Sequence, residues 1–299
     1  MPRSPLSKEL FELFSERPTR ILYHYTSLSS LRGIVNSKSL YATDIRFFND
    51  AAEMAHTAHL VRDEIGLRLR QTTSRYVNLL NQFSEWVSNR LTSGHAQFVA
   101  SFTAQGNILS QWRGYCPTGL GVSIGFNHIT LRERSEEQCF GLGRCRYNLA
   151  EQRKIVENIV DAVEDLADLR GENRDSSKRH PSNSYYDVFE EIEESLLKVA
   201  ALLKHPAFHE EEEWRVVSPI HSDYVKTPIS YREGRSMLLP YVPFSLPENN
   251  NGALALEHIF LGPTPNVNLS MTSLSNYLSK NDASPKQGVY YCQIPFRDW

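Results

Sequence analysis

Two short segments carry the residue types best suited to chemistry. LYHYTS (Leu22 to Ser27) ends a hydrophobic strand on a His, an aromatic ring and hydroxyls. EEEWRVV (Glu211 to Val217) runs from an acidic stretch into a strand through Trp214 and Arg215. Together they offer an imidazole and a carboxylate, far apart in sequence, each at a strand end. That pairing could hold a nucleotide ribose and stabilise a cation at its anomeric carbon.

Each residue also has a structural alternative. His24 could donate a hydrogen bond to a ribose hydroxyl or be a core His satisfied by backbone. Tyr25 and Thr26 could flank a ligand, while Thr26 or Ser27 could simply cap the next helix. The acid run Glu210 to Glu213 has the composition of a solvated surface. It nevertheless leads straight into a buried-looking strand. Alternation along that strand places Glu211, Glu213 and Arg215 on one face and Trp214 on the other. Arg215 could instead form a structural ion pair.

A third strand end, Ser101-Phe102-Thr103, sets two hydroxyls around a ring. Trp112, Arg113 and Tyr115 follow in one loop or short helix. Such rings could stack on a cationic nicotinamide or a purine, and Arg113 could pair with a phosphate. The alternative is that Trp112 and Tyr115 fill the core under the loop.

The elements that would position these groups are legible from periodicity. Helical spacing predicts helices over 5–16, 28–36, Met54 to Leu69 and Tyr76 to Leu91, and further ones through Ile155 to Leu166 and Val188 to Leu203. Strands are predicted at Ile21 to Tyr25, Ser39 to Thr43, Phe98 to Phe102, Gly121 to Phe126, Trp214 to Val217, Ser236 to Val242, His258 to Leu261 and Val289 to Ile294. FFND (Phe47 to Asp50) reads as a turn, Thr72 to Ser74 as a helix break, and Gly171 to Ser184 as a polar surface loop. These elements describe one α+β domain over residues 1–299, with helical insertions at about 50–92 and 150–204. A small sheet domain with a separable helical insertion is the other arrangement.

Composition narrows the function classes. The chain has 299 residues and a net charge of -3, so strong non-specific nucleic-acid binding is not expected. No apolar run approaches the ~20 residues of a membrane span, and the N-terminus lacks a signal-peptide core, so a cytoplasmic protein is expected. The four cysteines lack C-x-x-C spacing, which argues against zinc; Cys139 and Cys145 could meet in a hairpin, but reduced thiols are expected. G-x-G-x-x-G, G-x-x-x-x-G-K-[ST] and H-E-x-x-H are missing; GVSIG (Gly121 to Gly125) has the G-x-S-x-G spacing, but it reads as part of a glycine-bearing strand and not as a nucleophile elbow. His56 and His59, at i and i+3, lack an evident set of metal-ligand partners, and no metal is assigned.

Several segments in order resemble the bacterial domain-of-unknown-function family 2971: LYHYTSLSSLRGIV, LYATDIRFFND, ASFTAQGNILSQWRGY, GVSIGF, FHEEEEWRVV, LLPYVPF, IFLGP and IPFR. A more distant resemblance joins the early His, the SFT segment and the E-x-E before a late strand to the ADP-ribosyltransferase superfamily. That resemblance implies a split β-sheet core with inserted helices that binds NAD as substrate. It implies that His24, with Tyr25 and Thr26 beside it, contacts a ribose. Ser101, Phe102 and Thr103 would form the second-motif strand, with Phe102 where the superfamily has serine. Glu213 would be the catalytic Glu, and Glu211 the acid two positions before it. His24 and Arg113 would orient NAD, and Trp112 or Tyr115 would stack on a ring. The implied activity is cleavage of the nicotinamide–ribose bond and transfer of ADP-ribose to an unknown macromolecule or to water, as in a toxin or anti-phage effector. A non-catalytic nucleotide-binding or partner-binding module is the alternative.

Overall fold

The computed structural model describes residues 6–48, 52–71, 76–116, 120–170, 184–234 and 236–294. Thr72 to Ser74 and all but Ser184 of the polar loop lie outside them, as do Asn49 and Asp50 of FFND. In chain order the elements are α1 (Ser7–Ser15), β1 (Leu22–Thr26), α2 (Leu28–Ser37), β2 (Ser39–Asp44), α3 (Ala52–Gln71), α4 (Val77–Ser93), β3 (Ala96–Thr103), α5 (Leu109–Tyr115) and β4 (Val122–Phe126). Then come α6 (His128–Glu137), β5 (Gly141–Arg144), α7 (Leu149–Leu169), α8 (Tyr186–Ala200), β6 (Glu213–His221), β7 (Ser230–Glu233), β8 (Leu238–Ser245), β9 (His258–Leu261), α9 (Val267–Lys280) and β10 (Val289–Tyr291). Every predicted helix and strand is present. The sequence reading lacked α6, β5, β7 and α9.

The ten strands form one open sheet, mixed α+β in class, that joins segments from both ends of the chain. Its order is β10-β9-β4-β1-β3-β2-β8-β7, and β6 and β5 extend from β3. Among the named strands of the described residues, only β9 and β10 pair in parallel; the other strand pairings are antiparallel. One edge of β3 is matched along its length by β6. The opposite edge is shared: β2 pairs at Phe98 and Val99, and β1 pairs only at Thr103, opposite Tyr23. The sheet therefore forks along β3, and residues 100–102 have no strand partner on that edge.

Alternation along β3 and β6 splits their side chains between two cores. Val99 and Val217 join the core built with α3, α4, α7 and α8. Phe98, Phe102, Trp214 and Val216 join the core built with α2, α6 and α9. A smaller cluster gathers Tyr25, Trp112, Cys116 and Cys292 around α5. Helices thus cover both faces of the sheet, and the fork is the place where the layers open.

Local chemistry fixes the elements around the fork. The Ser27 hydroxyl accepts from the Ser30 amide at 3.1 Å and caps α2, as the sequence predicted. That cap stops β1 two residues past His24. β4 lies close to Tyr23 because Gly125 has no side chain: a Cβ there would come within 2.8 Å of the Tyr23 ring. No helix among the described residues is long and apolar enough to cross a membrane.

Candidate functional site

The fork opens into a small cleft. Tyr23, His24 and Tyr25 of β1 line it with Ser101, Phe102 and Thr103 of β3, Gln111 and Tyr115 of α5, and Glu211 and Glu213. Three consecutive residues from each of β1 and β3 reach the cleft. A pleated strand shows alternate residues to one face, so the opening lies in the plane of the sheet, between diverging strands.

His24 bridges that divergence. Its Nδ1 lies 3.0 Å from the Ser101 carbonyl oxygen. A carbonyl can only accept, so Nδ1 carries the proton. Burial pushes the imidazole pKa below its ordinary value, opposed by the Ser101 carbonyl. The ring is therefore neutral near pH 7, and Nε2 presents a lone pair. Nε2 is thus set to accept a hydrogen bond, the opposite polarity to the donation expected from the sequence. The backbone-satisfied alternative holds for one ring nitrogen only.

The acidic stretch is organised differently from simple alternation. Pro206–Glu211 forms a 3₁₀ turn, and Glu212 takes a left-handed conformation at φ 41° before β6 begins at Glu213. Glu211 is thus outside the strand whose alternation was expected to include it. It still reaches the same partner: Lys204 Nζ, 1 % exposed, lies 2.5 Å from Glu211 Oε2 and 2.7 Å from Glu213 Oε2. Arg215 donates to Glu213 through Nε at 2.8 Å and a second guanidinium nitrogen at 3.0 Å, realising the expected alternative of an ion pair. The end of β3 pins this turn, because the Thr103 hydroxyl donates to the Glu211 carbonyl at 2.5 Å.

Two carboxylates, Glu211 and Glu213, face the cations of Lys204 and Arg215. Burial alone would raise the Glu213 pKa, but the Arg215 and Lys204 charges outweigh it and hold it at about 2. Of its two oxygens, Oε2 accepts from Lys204 and Arg215, and Oε1 accepts from Arg215 Nε. One lone-pair site on Oε1 has no donor among the described residues.

The remaining sequence-selected residues divide. Ser101, Phe102, Thr103, Tyr25 and Tyr115 line the cleft, while Thr26, Trp112 and Arg113 do not. Tyr25 offers only its ring, since its hydroxyl donates to the Gln105 carbonyl and accepts from the Ile108 amide, both at 3.0 Å. Trp112 is fully buried, edge-on to Tyr25 with ring centroids 4.7 Å apart, and bonds Asn107 through its indole N–H. The core alternative describes it, and it is not placed to stack on a ligand. Tyr115, on the same helix, is 44 % exposed; burial of its hydroxyl, and then Glu213 and Glu211, raise its pKa and keep the phenol protonated. Thr26 is buried, its carbonyl accepting from Cys116 Sγ at 3.5 Å. Arg113 is exposed on α5.

Sequence reasoning missed Lys204, Tyr23 and Gln111. Tyr23 is two residues before Tyr25 on β1, so strand alternation pointed to it. Gln111 precedes Tyr115 by four residues, one helical turn, and reading QWRGY as helix would have found it. Lys204 carried no signal: a lysine closing a helix reads as a solvated terminus.

A family model described as a protein of unknown function (DUF2971) matches residues 111–216, from Gln111 through Val216. Over that part of the chain it agrees with the resemblance read from the sequence; β1 and β3 lie outside it. No curated protein and no solved structure matches the chain. Over residues 111–216, which hold α5 from Gln111 onward and both cleft carboxylates, the chain is similar to a family whose description carries no activity.

Proposed function

We propose that the chain is a cytoplasmic ADP-ribosyltransferase-like enzyme that cleaves the nicotinamide–ribose bond of NAD. It would pass ADP-ribose to a macromolecule or to water, as a toxin or anti-phage effector does. The observation that carries this reading is the convergence of His24, Ser101, Thr103 and Glu213, from three strands, on one cleft. The forked sheet around it fits the split core that the resemblance implies.

In this scheme the nicotinamide end of NAD enters the cleft. The C1′–N bond breaks with both electrons leaving on the nicotinamide nitrogen, and the ribose becomes an oxocarbenium ion. Glu213 Oε1 accepts a hydrogen bond from a ribose hydroxyl and lies beside the developing positive charge. The nucleophile then bonds to C1′ and yields its proton to Nε2 of neutral His24.

The test is release of nicotinamide from NAD labelled in that ring, with water or a cell extract as acceptor. Wild type releases it, and His24→Ala loses at least tenfold in rate while its melting curve shows a folded protein. No release by wild type under either condition rejects the proposal. One observation favours a second reading, the non-catalytic nucleotide-binding or partner-binding module: Glu213 is held by two buried cations. That reading predicts saturable NAD binding with no turnover.

A further inference from the structure

The two cleft carboxylates flank a residue in an unfavourable backbone conformation. Glu212, between Glu211 and Glu213, has φ 41°. This is the left-handed region, where the Cβ of an L residue crowds its own backbone at a cost in free energy. Such a residue persists where its surroundings hold it. What holds Glu212 is the chain leaving β3. Ala104 donates its amide to the Glu212 carbonyl at 3.2 Å, and Gln105 Nε2 donates to Glu212 Oε2 at 3.0 Å. The second bond ends on a carboxylate and is the stronger kind.

Gln105 is itself tied twice through its main chain. Its amide donates to the Thr103 hydroxyl at 3.0 Å, and that hydroxyl donates on to the Glu211 carbonyl. Its carbonyl accepts from the Tyr25 hydroxyl at 3.0 Å. The next residue is Gly106, where a Cβ would come within 2.6 Å of the Tyr23 ring, so the loop lies flat against β1. Gln105 thus joins β1, the end of β3 and the acidic turn, and all three carry side chains that line the cleft.

We infer that Gln105 is a positioning residue: by clasping Glu212 in its left-handed conformation, it fixes where Glu211 and Glu213 stand relative to His24. A change in φ at Glu212 swings the chain before it against the strand after it. Glu211 and Glu213 then no longer converge on Lys204 as they do here. Gln105 acts through Glu212 and has no part in the chemistry itself. The catalytic consequence rests on the NAD cleavage proposed above; the clasp does not.

A donor swap tests it. Gln105→Glu cannot donate and sets a second carboxylate against Glu212. Adding Glu212→Gln returns a donor from the opposite side of the same bond. Amide hydrogen exchange on the full chain, read by NMR, should quicken about tenfold at Ala104 and Glu213 in Gln105→Glu, the scale of one hydrogen bond to a charged group. Amides of β9 and β10 should keep their wild-type rates, and the double variant should restore slow exchange. In nicotinamide release from NAD, kcat should fall about tenfold in Gln105→Glu with KM little changed, and recover in the double variant. Unchanged exchange at both amides, no restoration in the double variant, or quickened exchange with kcat untouched each overturn the assignment. If Gln105→Glu fails to fold, recovery of fold in the double variant supports the clasp and its absence overturns it. If wild type releases no nicotinamide, the transferase reading falls, and the exchange rates still decide the clasp.

Discussion

The two polar walls of the cleft are built on opposite plans. On the β1 side, His24 makes one hydrogen bond, to a carbonyl, and keeps its second nitrogen available. On the β6 side, Glu213 is held by Lys204 and by two donors of Arg215, all nearly fully buried. One wall can take up a proton; the other is fixed in a single charge state. The difference teaches that a buried acid at a site need not be its titrating group. Here the charge pairs hold the acid, and the imidazole is the more loosely tied group.

The largest expected effect comes from breaking the fixed wall. Glu213→Gln removes the carboxylate that both Lys204 and Arg215 engage, and it should cost about 3–5 kcal/mol in urea or thermal unfolding. A cost under about 1 kcal/mol would show that the wall is not fixed. Acid unfolding sharpens the same point. The Glu213 pKa falls on folding from 4.5 to about 2, so its contribution is complete above pH 4.5 and is lost as pH falls toward 2. Wild type should destabilise through that window, and Glu213→Gln should lack this component.

The mobile-proton wall predicts smaller changes. His24→Gln can still donate to the Ser101 carbonyl, so it should cost no more than about 1 kcal/mol. It should nevertheless reduce NAD cleavage at least tenfold. NMR titration of the His24 ring should give a pKa below 6.5, because burial favours the neutral form. A value at or above 6.5 would erase the contrast between the walls. The smallest effect is Tyr115→Phe: the residue is 44 % exposed, so stability should change by less than about 0.5 kcal/mol.

What could be read in advance follows from how each signal arises. Strong apolar periodicity marked β3, where Phe98 and Val99 serve opposite cores, and it marked α7 and α8. It was silent for α6, where only Leu131 and Ser135 are buried, and for β7, where all four residues are exposed. Those elements are held by neighbours and not by a buried face of their own. At the site, His24, Ser101 and Glu213 stood out because strand ends limit where a polar residue can go. Lys204 and Gln111 did not, because their role depends on what another part of the chain brings to them. Trp112 and Tyr115 looked equivalent in the sequence, and only the rotation of α5 separates a core ring from a cleft ring.

The fork in β3 also bears on how safely this chain can live in a crowded solution. Unpaired strand backbone normally invites a second chain to add its own strand. Here the unpaired stretch is residues 100–102, closed by β2 at one end and by β1 at the other. Three residues are at the short limit for a strand, and an invading segment would meet a ladder on either side. The Ser101 carbonyl in this stretch is also taken by His24, so the fork offers little edge for aggregation.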